Sequence, residues 1–296
     1  MIELTSEFFF DRVKKRDQNT HKGSYGTLTA VCGSSLFRGA PALAAIGALR
    51  TGCGIVRVAS TEKVIASLSA KLDECIYLPL KENEAGGISQ LSTDAILEAS
   101  KNSTALLVGC GMTCLPDTKS IVTAILARTE KNIVLDADAL NSISASPDAL
   151  LFGNGTVTLT PHIGEMARLY KGAVGREISF EEIKSDPVKY ASELAYKYKC
   201  TVVLKDHVTH IVSYDQRTAK NSNGNAGLAR GGSGDILSGM IASFNAQGFD
   251  PFDSACLGVW LHAEAADICA RERSQIGMLP SDIPEYICRI LSEAGR

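Results

Sequence analysis

Short apolar runs that end in glycine or polar residues, each followed by a helix-like segment, set the architecture open to this chain. Thr27 to Cys32 closes on Gly33-Ser34-Ser35, and Ala105 to Val108 closes on Gly109-Cys110-Gly111. Ile133 to Leu135 ends at Asp136-Ala137-Asp138, and Val157 to Leu159 at Thr160-Pro161-His162-Ile163-Gly164-Glu165. Runs this short read as buried strands, while the segments between them carry helical spacing, as in Ile121, Val122, Ile125 and Leu126 after Pro116. Strands alternating with helices in this way argue for parallel β/α units. The chain is therefore expected to be α/β, with a mostly parallel sheet. Ligands of such sheets gather at the carboxyl ends of the strands, where the glycines and polar residues fall.

The remaining elements follow the same grammar. Ile55 to Ala59 is a strand, with Thr61 as N-cap of a helix that begins with Lys63, Val64 and Ile65. Pro41 through Leu49 is a helix of small residues (Ala42, Ala44, Ala45, Gly47, Ala48) suited to close packing on a sheet. Asp186 to Cys200 is helical. Thr201 to Leu204 and the alternating Val208 to Tyr214 pair as a hairpin, which makes the sheet mixed. Helices from Phe252 to about Arg271 and from Ser281 close the chain, and residues 1–20 are a polar, partly helical lead-in. No linker, repeat or low-complexity stretch divides residues 1–296, so one domain is expected.

Bulk properties exclude several classes. At 296 residues with 45% hydrophobic and 21% charged side chains, the chain can bury a large core. A formal charge of -3 gives no reason to expect nucleic acid or a membrane surface as partner. Glu3, Glu7, Asp11 and Arg12 stand where a signal peptide would be apolar, and the run Ala42 to Leu49 is too short to span a bilayer. The nine cysteines are read as reduced thiols of a cytoplasmic protein. Cys110 and Cys114 lack the second pair of ligands that a zinc site needs.

One stretch points to chemistry. Asn223-Gly224-Asn225-Ala226-Gly227-Leu228-Ala229-Arg230-Gly231-Gly232-Ser233-Gly234-Asp235 runs straight into Ile236, Leu237, Met240, Ile241 and Phe244 at helical spacing. A glycine loop entering a helix presents unpaired amides and the positive end of the dipole, a site for phosphate. Asp235 in the first turn can accept a hydroxyl proton while those amides hold phosphoryl charge. It is expected to stay ionised through the dipole, and so to be a weak base at rest. A bare Gly-Ser-Gly-Asp reads equally well as a flexible loop with a dipole-stabilised acid; the length of the glycine-dense stretch tips the balance to function.

Other candidates have two readings each. His162 contacts a polar substrate while Glu165 orients water or a metal-bound phosphate, or the two form a helix cap. Lys205 reaches a phosphate or is simply solvated. Asp136 and Asp138 are a carboxylate pair for Mg²⁺, or Asp138 caps the helix holding Leu140. His262, among alanines and Val259, is a satisfied core residue, while His207 and His210 face solvent. The chain has no G-x-x-x-x-G-K-[ST] loop and no G-x-G-x-x-G after its first strand.

Taken together, His21-Lys22-Gly23-Ser24-Tyr25-Gly26, Leu135 through Leu140, Thr160-Pro161-His162 with Gly164-Glu165, and Asn223 through Asp235 resemble the NAD(P)H-hydrate dehydratase family, over His21 to about Asp267. The resemblance implies a ribokinase-like three-layer sandwich. It implies that ADP (ATP in animal and fungal relatives), with Mg²⁺, phosphorylates the 6-hydroxyl of (6S)-hydrated NADH or NADPH, and that phosphate is then eliminated to restore the nicotinamide. Carried onto this chain, Asp235 is the hydroxyl-activating carboxylate, and Gly232, Ser233 and Gly234 supply the anion-holding amides. Gly39 or Ala40, Gly111, His162 and Asp235 contact the hydrated dinucleotide. Lys205, Asp206, His207, Val208, Thr209, Asn225 and Gly234 contact the nucleotide. No metal ligand is assigned beyond Glu165 acting through water. The chain departs from relatives at Cys110, where proline is common, at Ile163 between His162 and Gly164, and at Asp206-His207 after the lysine. The resemblance also implies a homotetramer, and a separate epimerase acting on the same pool, since only about twenty residues precede the first motif. A ribokinase-like kinase for a hydroxymethylpyrimidine or sugar is the alternative, and a nucleotide sensor without turnover is a third reading.

Overall fold

The computed structural model describes residues 1–296, and its ten strands join into one sheet. In chain order these are β1 (Ile2–Glu3), β2 (Thr27–Val31), β3 (Ile55–Thr61), β4 (Cys75–Leu80), β5 (Ala105–Val108), β6 (Asn132–Leu135), β7 (Val157–Leu159), β8 (Thr201–Leu204), β9 (Thr209–Ser213) and β10 (Thr218–Asn221). Their order across the sheet is β1-β10-β9-β8-β7-β6-β5-β2-β3-β4. Every pair from β4 to β8 is parallel, whereas β8–β9 and β9–β10 are antiparallel, as the hairpin reading requires.

The central strands are buried on both faces, and the period of two divides their side chains between two apolar layers. In β5, Ala105 and Leu107 join one layer and Leu106 and Val108 the other, all four fully buried. Helices Ala40–Arg50, Ser233–Ala246, Pro251–Arg273 and Ile283–Glu293 contribute to the first layer. Helices Pro116–Arg128, Ile163–Val174 and Pro187–Tyr198 contribute to the second. No helix is long and apolar enough to cross a membrane, and all nine cysteines are free.

Several local expectations need correction. The lead-in is less polar than it looked: β1 pairs with β10, and helix Ser6–Arg12 buries Phe8 and Phe9, the latter with its ring centroid 4.9 Å from that of Trp260. Thr61 occupies the N-cap position of helix Glu62–Leu68, but its side chain makes no capping hydrogen bond. The small-residue helix Ala40–Arg50 packs chiefly on another helix, Ser233–Ala246, instead of on the sheet. A Cβ at Gly239 would lie 2.0 Å from the Ala44 carbonyl oxygen, and one at Gly47 would lie 2.6 Å from that of Ile236. These helices touch backbone to backbone.

Gly239→Ala is therefore expected to force the helices apart and cost about 3 kcal/mol, the upper range for overpacking. Urea unfolding measures it; a midpoint matching that of the unaltered protein would contradict the contact.

Candidate active site

The carboxyl ends of β5, β6, β7 and β8 and the start of helix Ser233–Ala246 meet at one place. Gly109 follows β5 with φ 128°, and a Cβ there would lie 1.9 Å from the Asp136 carbonyl oxygen, so only glycine lets the two strand ends approach. Asp136 follows β6 and is 2% exposed. Its Oδ1 accepts from Lys205 Nζ at 2.9 Å and Thr160 Oγ1 at 2.7 Å. Its Oδ2 accepts from Ser238 Oγ at 2.7 Å and from the Cys110 thiol at 3.9 Å. Burial pushes this carboxyl up, but the Lys205 charge and the bonds from Ser238 and Thr160 outweigh it and hold Asp136 below its ordinary range.

Lys205 is thus not a solvated lysine: its ammonium is paired with Asp136, and any phosphate beside it would share that charge. Burial alone would lower its pKa; the charges of Asp136 and Glu165 reverse that and raise it. Asp138 is not the N-cap expected of it. Its Oδ2 accepts from the Thr113 amide at 2.8 Å, and the N-cap of helix Asp138–Ile143 is Ala137.

Helix Ser233–Ala246 starts from Gly232, whose φ of 104° suits glycine. The Ser233 amide donates to the Arg230 carbonyl at 3.3 Å, whereas the Gly234 and Asp235 amides meet no acceptor in the protein. Of the three predicted amides only that of Ser233 is occupied; those of Gly232 and Gly234 are free, and the Asp235 amide joins them. A Cβ at Gly234 would lie 3.5 Å from Lys205 Nζ, which places the ammonium beside those amides. Asp235 is not the readily ionised acid expected from the dipole. Burial, then the Asp136 charge, push its carboxyl up to about 7. Desolvation between strand ends outweighs the helix field here.

The other predicted residues divide. His162 and Glu165 form a full capping box for helix Ile163–Val174, and the Glu165 Oε2 accepts from the His162 amide at 2.9 Å. Because His162 Nδ1 accepts from the Gly164 and Glu165 amides, its ring proton is assigned to Nε2, 3.5 Å from Glu165 Oε1. Burial, opposed by Lys205 and reinforced by Asp136, raises Glu165 to about 7. Capping and a place beside the cluster coexist. Ala40 and Gly111 come together, since a Cβ at Gly111 would lie 2.9 Å from the Ala40 Cβ and 2.6 Å from that of Phe37, while a Cβ at neighbouring Gly39 would meet open space.

Asn225 is spent on structure: its Nδ2 donates to the Ala266 carbonyl at 3.0 Å and Asp267 Oδ1 at 2.8 Å, and its Oδ1 accepts from the Gly227 amide at 2.9 Å. Its side chain pins the glycine loop to helix Pro251–Arg273. Asp206, His207 and Val208 form the turn from β8 into β9, which Thr209 opens; there Asp206 lies 3.8 Å from Lys184 and His207 is exposed. His210 is half-buried, short of facing solvent outright. His262 is buried as predicted but not satisfied: its Nε2 has no partner, and burial with the Lys205 charge lowers its pKa to about 4.

Sequence reasoning missed Cys110, Thr160 and Ser238 as members of the cluster. Ser238 had a usable signal, lying three residues after Asp235 and so on the same helix face.

The Cys110 sulfur and oxygens of Asp136 and Asp235 lie within 4.8 Å of one another. This set does not fit Mg²⁺. Both Asp136 oxygens are engaged, an ammonium sits alongside, and a thiol is a poor ligand for a hard cation.

A family model described as NAD(P)H-hydrate dehydratase matches residues 28–289. The chain belongs to that family. Among its relatives in the family, an ADP-dependent (S)-NAD(P)H-hydrate dehydratase of Neisseria meningitidis is 37% identical over 86% of this chain and 81% of its own length. A bifunctional NAD(P)H-hydrate repair enzyme of Moorella thermoacetica is 35% identical over 97% of this chain and 53% of its own length. The chain thus spans about half the length of such bifunctional relatives. The crystal structure of the Bacillus subtilis ADP/ATP-dependent NAD(P)H-hydrate dehydratase, co-crystallised with ATP and Mg²⁺, superposes with a TM-score of 0.80 at 29% identity, covering 95% of this chain and 94% of that one. The fold is ribokinase-like: a ribokinase-like superfamily protein of Enterococcus faecalis gives a TM-score of 0.83 at 22% identity.

Proposed function

We propose that the protein dehydrates (6S)-hydrated NADH and NADPH at the expense of ADP, releasing AMP and phosphate. The observation that carries this reading is Asp235 set beside the unpaired Gly234 and Asp235 amides, with Lys205 behind them. In this scheme the substrate 6-hydroxyl oxygen attacks the terminal phosphorus of ADP while Asp235 takes the hydroxyl proton, and AMP leaves with the electron pair. The amides and Lys205 hold the phosphoryl charge. Breaking the carbon–oxygen bond then expels phosphate, and loss of the neighbouring ring proton restores the double bond. Mg²⁺, when bound with the nucleotide, neutralises phosphate charge; of the nearby side chains, only Glu165 is assigned to it, through water. Gly39, Ala40, Gly111 and His162 would meet the hydrated dinucleotide, and the Lys205–Thr209 turn with Gly234 would meet the nucleotide.

Nine free thiols suit a reducing, cytoplasmic setting, and the family resemblance favours a homotetramer.

The test incubates purified protein with hydrated NADH, Mg²⁺ and either ADP or ATP. Return of nicotinamide absorbance in step with AMP (or ADP) and free phosphate supports the reading. A stable phosphorylated product with no absorbance would replace it with a kinase. Because the base must be ionised, kcat/KM is expected to rise with pH through about 7, the value to which burial moves Asp235.

A further inference from the structure

Cys110 is fully buried beyond β5, and its sulfur lies within 4.8 Å of oxygens of two carboxylates with different needs. Asp136 is already served by Lys205, Thr160 and Ser238 at 2.9, 2.7 and 2.7 Å. Asp235 receives none of those short bonds. The contact with Cys32 at the end of neighbouring β2, together with burial, keeps the Cys110 thiol protonated. One S–H proton is therefore available in the gap, and a carboxylate that has just lost its own proton is the stronger acceptor.

We propose that Cys110 is a positioning residue for Asp235: its S–H turns from Asp136 toward Asp235 when Asp235 ionises, and fixes the basic oxygen facing the substrate. This rests on the reading of Asp235 as the base. The groups facing Asp235 are Asp136 and Asp138 beyond β6, Lys205 beyond β8 and Cys110 beyond β5. Both aspartates oppose its ionisation, while Lys205 is already committed to Asp136. Cys110 is the neutral donor that favours the ionised form.

The test compares Cys110→Ala with Cys110→Ser, which keeps a donor. In the alanine variant the acid limb of the kcat/KM profile should move to higher pH, giving a loss of about three- to tenfold near neutrality that recovers at alkaline pH. The serine variant should stay within about twofold of the parent, since it retains the hydrogen bond. Equal losses at every pH in both variants would overturn the proposal. A readout without substrate separates this from failure of the proposed function. An acid whose folded pKa is raised loses stability as pH climbs from its unfolded to its folded value. Thermal melts of the alanine variant should show that decline continuing to higher pH, and Asp235→Asn should abolish the difference. A difference that survives in the Asp235→Asn background would place the effect elsewhere.

Discussion

Asp235→Asn should lower kcat by a hundredfold to ten-thousandfold, roughly the range for a lost general base, and at the same time raise the melting temperature at pH 8. The two effects share one cause. Burial and the neighbouring Asp136 push Asp235 up to about 7, so ionising it in the folded protein is costly. With an unfolded value near 4, its destabilising effect is absent below that pH, grows between about 4 and 7, and is complete above 7. The shift alone would correspond to about 4 kcal/mol, but Asp235 is partly exposed, so about 1–2 kcal/mol is the better expectation. For a chain of this size that is a rise of a few degrees. Activity and calorimetry on one preparation check both; an inactive variant that melts lower at pH 8 would mean that Asp235 is held by stabilising contacts instead.

Lys205→Met should destabilise more than any surface substitution, by about 3–5 kcal/mol at pH 8, because it strands Asp136 as a buried charge. The sign of its pH dependence is opposite to that of Asp235. Asp136 is held below its usual range, so its stabilising contribution is present at neutral pH and lost as pH falls through the folded value. Without Lys205 the carboxyl can escape by protonating, so the penalty should shrink toward pH 5. Adding Asp136→Asn should recover part of the stability but none of the activity. Urea unfolding at the two pH values decides; a penalty independent of pH would show that Asp136 is not charged in the folded protein.

The sheet was largely legible because parallel strands announce themselves by composition: Ala105 to Val108 and Ile133 to Leu135 have no polar face to hide. What escaped depended on partners distant in sequence. β1 is two residues long and exists through pairing with Ala219 and Lys220. β4 contains Pro79, which an edge strand tolerates and which masks the signal. At the site, the glycine loop and Asp235 showed as a local pattern. The Lys205–Asp136 pair, 69 residues apart, did not, and without it Asp136 passes for a metal ligand and Lys205 for a solvated side chain. The raised pKa of Asp235 was equally hidden, since helix position predicts ionisation and only burial reverses it.

The backbone contact at Gly239 and Gly47 limits how substrate can get in. The helix that carries the unpaired Gly234 and Asp235 amides is wedged against Ala40–Arg50 and has no room to recede. On the proposed reading, admission and release are then expected at the loop carrying Phe37, which packs against Gly111. If turnover is limited by a gate, hydrogen exchange should find the gate's motion in that loop, with the amide-bearing helix among the slowest segments to exchange.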